Sequence, residues 1–434
     1  MTQVLIAGAG PTGIVLGIEL LRRGIAVRVV DAASGPFEGS RGKGVQPRTL
    51  EIFDLIGVAD DVVASSTLYP YLKLHLGPFR KRLAPLGTRH EPTEERPYPN
   101  MLMVPQWRTN EILLARFNAL GGKIEYNSAV AGLTQTDRGV TAELATGESV
   151  KANYMVGCDG GRSTVRCLLG IQLVGKSLDE KAMVVADLEI ENLDREFWHV
   201  WPINRGGPPS LCPLPLGNLF QLQSPKRIGE NGLEAGVLKT TGQRVTGIAW
   251  QSEFKHQTRM VDRYRIGRVF LAGDAAHLHP PSGAQGLNTS VQDAWNLGWK
   301  LAAAILHGEA NLLESYQQER LPTAAAMLNL TGTLHVKKSR QRGELTNHLS
   351  LNYRNSPLCK GEPHEGVAPG DRIADRILPD GSRLFDHLRH TSATQLIRRS
   401  APHILVRPDA YVAEISRREV SSYFGEQVRK VEID

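Results

Sequence analysis

Val4-Leu5-Ile6-Ala7-Gly8-Ala9-Gly10-Pro11-Thr12-Gly13, running on through Ile14, Ile18 and Leu21 to Gly24 and then to Ala26-Val27-Arg28-Val29-Val30-Asp31, is the stretch that decides the fold. Four successive apolar residues suit a strand buried on both faces of a parallel sheet. The G-x-G-x-x-G that follows opens a helix whose apolar residues recur at helical spacing, with Gly24 as its stop. A second strand then delivers an acid. Gly8 permits the tight turn, Gly10 lets a pyrophosphate approach the backbone, and Gly13 lets helix and strand pack closely. Pro11 and Thr12 complete the turn, and the diphosphate rests on free N–H groups at the helix start. Asp31 is placed to accept ribose hydroxyls. The unit predicts a dinucleotide site without saying which dinucleotide.

Two later stretches bear on that choice. Tyr154-Met155-Val156-Gly157-Cys158-Asp159-Gly160-Gly161-Arg162-Ser163 is an apolar strand ending in Asp-Gly. Arg268-Val269-Phe270-Leu271-Ala272-Gly273-Asp274 is another ending in Gly-Asp, and Pro280-Pro281-Ser282-Gly283-Ala284-Gln285-Gly286-Leu287-Asn288 follows it. An acid at the carboxyl end of a buried strand faces the crevice where such sheets bind ligands. Asp274 is therefore expected at the ribityl hydroxyls of FAD. A helix is predicted over 288–306, with Thr289 and Gln292 as its capping box. Its dipole would stabilise negative charge on a reduced flavin.

In these three ordered motifs the chain resembles the single-component flavoprotein aromatic hydroxylases built like para-hydroxybenzoate hydroxylase. Gly42-Lys43-Gly44-Val45-Gln46-Pro47-Arg48-Thr49-Leu50-Glu51 and Met103-Val104-Pro105-Gln106 are similar to the branch acting on polycyclic polyketides, rifamycin-like antibiotics and substituted phenols. The resemblance implies non-covalent FAD, with NAD(P)H and O2 as co-substrates and a flavin C4a-hydroperoxide as the hydroxylating species. By position it implies that Arg41 contacts the FAD phosphate or ribityl region, that Gln106 bonds the ribityl chain, and that Asp159 shapes both the FAD and NAD(P)H sites. It makes Pro281, facing the flavin ring, and Gly286 the catalytic candidates. Gly286, Leu287 and Asn288 would offer backbone groups to the pyrimidine edge. Ala284 stands where glycine is frequent, which excludes a comfortable positive φ there.

From 175 to 262 the pattern changes to short alternating runs with Pro and Gly punctuation, the mark of antiparallel strands with one covered face. Trp201, Leu211, Pro213, Phe220 and Leu222 are expected on the inner, substrate-facing side. Trp198-His199-Val200-Trp201-Pro202 lacks the spacing of the flavin-halogenase tryptophan motif. The expected fold is α/β: an FAD-binding Rossmann-like domain of the glutathione-reductase type, an inserted antiparallel β-sheet substrate domain, and a short C-terminal thioredoxin-like remnant. The expected division is 1–174 and 263–370 for the FAD-binding parts, the latter with a helical segment, 175–262 for the substrate sheet, and 371–434 for the terminal segment, shorter than the family's and without C-x-x-C.

The totals agree. The chain has 434 residues, 41% apolar and 22% charged, which suits two or three soluble domains. The net charge of +6 is dispersed, without the patterns of nucleic-acid binders. Four cysteines, at 158, 167, 212 and 359, form no metal spacing and no disulfide framework, and no metal is expected. With no leader and no apolar run near the ~20 residues that span a bilayer, a cytoplasmic monomer or homodimer is expected, with a small aromatic molecule as its partner. The alternatives are a flavin reductase or dehydrogenase without oxygen insertion, and a non-catalytic flavin-binding protein that sequesters its ligand.

Overall fold

The computed structural model describes residues 2–178, 182–204, 207–229, 232–280, 283–336, 344–399 and 402–433. Its centre is a six-stranded sheet in the order Arg265–Ile266, Val269–Leu271, Tyr154–Gly157, Val4–Ala7, Val27–Val30, Ile124–Glu125. Every pairing is parallel except that of Arg265–Ile266 with Val269–Leu271. The three strands that carry the motifs are therefore adjacent and co-directional, and Gly8, Asp159 and Asp274, distant in sequence, emerge at one edge. Leu5, Ile6, Val156 and Phe270 are fully buried between the covering helices, as their unbroken apolar runs require.

Helix Pro11–Leu21 starts on a proline, whose missing N–H costs nothing in a first turn. The second long helix spans Gly286–His307, so it begins earlier than the sequence suggests, and its cap residue Gln285 makes no side-chain cap. Thr289 and Gln292 are buried inside it rather than capping it. Gln292 Nε2 instead donates to the Asn288 carbonyl at 3.0 Å. Ala284, at φ +55°, turns the chain just before the helix. That left-handed conformation is the one its Cβ disfavours, at a cost of about 1–2 kcal/mol. The helical segment expected in the second FAD-binding part includes the helix Glu314–Val336.

A second, seven-stranded sheet has the order Val245–Phe254, Met183–Ile190, Leu219–Pro225, Ser210–Pro213, Phe197–Val200, Tyr71–Leu76, Phe79–Leu83. Its last two strands come from the segment assigned by sequence to the flavin domain. All its pairings are antiparallel but one, Phe197–Val200 with Tyr71–Leu76. Register fixes the two faces. Ala186 pairs Leu222 and Leu222 pairs Leu211, whereas Asp187 pairs Gln221 and Gln221 pairs Cys212.

The C-terminal segment forms a mixed four-stranded sheet, Val412–Ser416, His403–Val406, Thr394–Ile397, Arg429–Glu432, with one short helix, Leu384–Leu388. A buried ionic group docks it. Arg407 donates to Glu319 Oε1 at 2.6 Å and to Asp409 Oδ2 at 2.6 Å, while Lys300 Nζ reaches Glu319 Oε2 at 2.7 Å. Burial would raise the Glu319 carboxyl, but Arg407 and Lys300 outweigh it and hold it far below the usual range. Among the described residues no helix is long and apolar enough to cross a membrane.

Candidate functional site

The glycine turn has the geometry its spacing demands. Gly8 sits at φ +106°, and a Cβ there would lie 2.3 Å from the Cys158 carbonyl oxygen. A Cβ on Gly13 would lie 1.9 Å from the Gly8 oxygen, whereas one on Gly10 would meet nothing within 4 Å. Gly8 and Gly13 thus serve packing, and Gly10 leaves the open approach that a diphosphate needs. Asp31 accepts the amide protons of Ala9 at 2.6 Å and Ala33 at 2.7 Å, which fixes its carboxylate beside the turn.

Asp159 accepts from the Val165 amide at 3.1 Å through Oδ2, while its Oδ1 is buried without a partner. Buried acceptors are rarely left so, and this residue's backbone packs against Gly8 of the glycine turn. Asp274 opens onto the same crevice and is accessible there. The protein packed around that crevice nonetheless pushes its carboxyl above the usual range, against His277 and Arg41, with Asp293 adding to the rise. Gly273, at φ +63°, donates its amide to Asp293 Oδ2 at 3.0 Å. Asp293 also binds His277 Nε2 at 2.6 Å and Arg320 Nε at 2.8 Å. Burial would raise Asp293, but His277 and Arg320 hold it below the usual carboxylate range. Asp293 and Arg320 went unremarked in the sequence, since nothing in their spacing ties them to the Gly-Asp turn.

Arg41 donates to Ser252 Oγ at 3.1 Å on the edge strand, and its charge reaches Asp274. Gln106 begins helix Gln106–Ala119 and accepts the Gly42 amide at 2.8 Å, steadying the segment that carries Arg41. The Asn288 side chain clasps the same segment, accepting from the Gln46 amide at 2.8 Å and donating to the Gly44 carbonyl at 2.9 Å. In the first turn of Gly286–His307, the amides of Gly286, Leu287 and Asn288 precede the first internal helical bond, from Thr289 to Gln285 at 2.9 Å. With no side-chain cap, they are left for a ligand. Pro281, Ser282 and Arg205, the last the one arginine the sequence offers for a substrate carboxylate, lie outside the described residues. An orphaned acid, an open glycine, uncapped amides and an acid facing the crevice together fit FAD.

The expected substrate residues do not join this site. Trp201, Leu211, Phe220 and Leu222 pack with Leu233 and Val237 of helix Leu233–Thr241 in a closed core. Pro213, paired with Phe220, falls on the same face. Strand parity is the reason: the most apolar face is the one a helix seals, and the face toward the cofactor segment carries Asp187, Cys212 and Gln221 instead. Sequence reasoning missed those three and also Lys43, which donates to Gln221 Oε1 at 2.6 Å. A cavity of about 320 Å³ opens beside the helix start, lined in part by Gln46, Leu86, Met101 and Thr346. Gln46 Nε2 donates to the Gly283 carbonyl at 3.0 Å, so the cavity wall is tied to the flavin loop.

Fold and crevice together define a flavoprotein of the aromatic-hydroxylase architecture. The FAD binding domain family matches residues 1–331. A flavin-dependent monooxygenase of Mycobacteroides abscessus is 38% identical over 98% of this chain and 100% of its own length. A rifampicin monooxygenase of Rhodococcus hoagii is 32% identical over 99% of each. Among solved structures, an anhydrotetracycline hydroxylase from Streptomyces rimosus is similar with a TM-score of 0.76 at 28% identity, over 95% of both chains. The chain belongs to the FAD binding domain family and is an FAD-dependent monooxygenase.

Proposed function

We propose that this monooxygenase hydroxylates a phenolic substrate of several fused or linked rings, with NAD(P)H as reductant and O2 as oxygen source. The cavity beside Gly286–His307 carries the reading. Its walls combine the apolar Pro47, Leu86, Pro99, Met101 and Leu349 with the neutral polar Gln46, Thr88, Asn100 and Asn347 and the acids Glu91 and Glu344. Arg96, the one arginine among its described lining residues, is already engaged by Glu344 at 3.5 Å. No guanidinium fork is left to clamp a small carboxylate. Burial of apolar area against Pro47, Leu86, Pro99 and Met101 then supplies affinity, as suits a large ligand with an apolar body and polar edges. The relatives named for rifampicin and anhydrotetracycline support the same size class.

Gly8, Gly10, Pro11, Thr12 and Gly13 cradle the diphosphate, and Asp31 takes ribose hydroxyls. Asp159 and Asp274 would accept from the cofactor's hydroxyls, with Arg41 and Gln106 fixing the neighbouring segment. The amides of Gly286, Leu287 and Asn288, at the positive end of their helix, would stabilise negative charge on the bound flavin. FAD, when bound, supplies electron transfer from NAD(P)H and activation of oxygen. The chain itself binds, orients and excludes water. The working unit is a cytoplasmic monomer or homodimer, divided near residues 174, 262 and 370, with strands Tyr71–Leu76 and Phe79–Leu83 of the first segment joining the substrate sheet.

The test is NADPH oxidation by the purified yellow protein across simple and polycyclic phenols, with product mass read in parallel. The expected result is oxidation stimulated by polycyclic phenols and a product heavier by one oxygen atom. Tight coupling with hydroxybenzoates and silence with polycyclic phenols overturns the substrate class. A product without added oxygen points to the reductase alternative.

A further inference from the structure

Phe79 is held out in water at a place that neither the cofactor crevice nor the cavity explains. It is 74% exposed at the tip of the hairpin formed by Tyr71–Leu76 and Phe79–Leu83, beside the turn residues Gly77 and Pro78. The second of these strands is the free edge of the seven-stranded sheet. Arg80, Lys81 and Arg82 follow Phe79 and are exposed with it. From Val62 to His90 the chain carries Lys73, Arg80, Lys81, Arg82 and Arg89 and no acid. Arg80 Nη1 folds back to the Gly77 carbonyl at 2.6 Å, which keeps its charge at the turn. Arg82 stands opposite Lys73 in the register, 3.9 Å from the centre of the Tyr71 ring, and Arg89 is 5.4 Å from the same ring. Asp194 neutralises Lys73 at 3.2 Å. Among the described residues no carboxylate forms a salt bridge with Arg80, Lys81 or Arg82.

Charges on an edge strand block its pairing with another chain, and that accounts for the lysine and the arginines. They also turn away a second copy of the same hairpin, because like charges would face each other. Neither effect accounts for the phenylalanine. An apolar tip next to unpaired cations suits an anionic lipid bilayer, where phosphates take the charges and the ring enters the boundary between headgroups and acyl chains. We propose that this hairpin docks the protein reversibly on anionic membrane, with Phe79 inserted and Arg80, Lys81 and Arg82 on lipid phosphates. Leu86, Gly87 and Thr88 line the cavity, and Leu86 follows Leu83 by at most about 11 Å of extended chain. Docking therefore brings the bilayer beside a segment of the cavity wall. The inference goes beyond the substrate reading and does not depend on it.

The test sediments FAD-loaded protein with vesicles of phosphatidylcholine mixed with phosphatidylglycerol, and with vesicles of phosphatidylcholine alone. The parent should bind the mixed vesicles, leave them as salt rises, and ignore the neutral ones. Arg80→Gln combined with Lys81→Gln should weaken binding about 30-fold, at roughly fivefold per charge. Phe79→Ala should weaken it roughly five- to tenfold. Phe79→Trp should bind as the parent does, with a blue shift in emission that glycerol phosphate, the soluble headgroup, does not produce. FAD content and NADPH oxidation without vesicles should be the same in every variant, because these side chains do not line the cavity. Parent protein that stays in the supernatant with both kinds of vesicle overturns the proposal. So does vesicle binding that the Phe79→Ala and the paired glutamine variants leave unchanged. Equal binding to RNA or polyglutamate, indifferent to Phe79→Ala, makes the patch a general anion surface and overturns it too. The phenol screen bears on none of these outcomes.

Discussion

Replacing Asp274 with alanine should loosen FAD strongly while leaving the apoprotein at least as stable. The carboxylate follows strand Val269–Leu271 and faces the crevice, in a place poor for its own charge. The protein packed around the crevice raises its carboxyl, His277 and Arg41 oppose that rise, and Asp293 reinforces it. No side-chain hydrogen bond or salt bridge engages it among the described residues, so the fold loses little when it goes. A ligand hydroxyl loses a charge-assisted bond of about 1.5–3 kcal/mol. That corresponds to roughly a 10- to 150-fold weaker complex. Titration of deflavinated protein with FAD, followed by flavin fluorescence, measures the affinity, and a thermal melt of the same apoprotein measures the fold. Asp274→Asn keeps an acceptor oxygen without the charge and should fall between. An Asp274→Ala protein that folds and binds FAD as tightly as the parent refutes the placement of this residue on the cofactor.

Phe220→Ala should lower the urea midpoint through a loss of about 3–5 kcal/mol, because it empties the core sealed by Leu233 and Val237. The apparent substrate constant should stay put, and a selective rise in that constant with unchanged stability would contradict the face assignment. Acid should weaken the fold before it protonates most carboxylates. Burial holds His348 down to about 3 and His75 down to about 4, the latter with help from His199, so the native state refuses protons that an unfolded chain takes up near pH 6.5. Stability is therefore full above pH 6.5 and falls as pH drops toward those native values, by about 2 kcal/mol at pH 5 from His348 alone. Urea midpoints at pH 7 and pH 5 check this, and equal midpoints count against neutral buried histidines.

The cofactor crevice was legible because its signals are local. Glycines at 8, 10 and 13, and acids closing the strands before 159 and 274, are set by what a short turn can do, and parallel strands bring their ends to one edge without further instruction. The sheet over the crevice was not legible in the same way. Alternation shows that a strand has two faces, but not which face a helix will cover, and Leu211 and Leu222 look alike on either. Apolar ranking selected the sealed core and passed over Asp187, Gln221 and Lys43, whose value lies in being buried and polar together. The start of Gly286–His307 was misplaced because Ala284 takes a left-handed conformation that its residue type argues against. Strain of this kind is held by surrounding structure and leaves no trace in the local sequence.

The adjacency of three parallel strands has a consequence for how the chain comes to life on the ribosome. Val4–Ala7 is made before both of its sheet neighbours, Val27–Val30 following soon and Tyr154–Gly157 only after a long interval. Val269–Leu271 follows later still, and with it the turn that carries Asp274. Until then the nascent glycine turn is an exposed apolar strand with one partner, a species open to wrong pairing or chaperone capture. Assembly of the crevice is consequently a late event in synthesis. FAD can lock the three strand ends together only once they coexist, so riboflavin supply during expression should govern how much of the newly made protein ends up native.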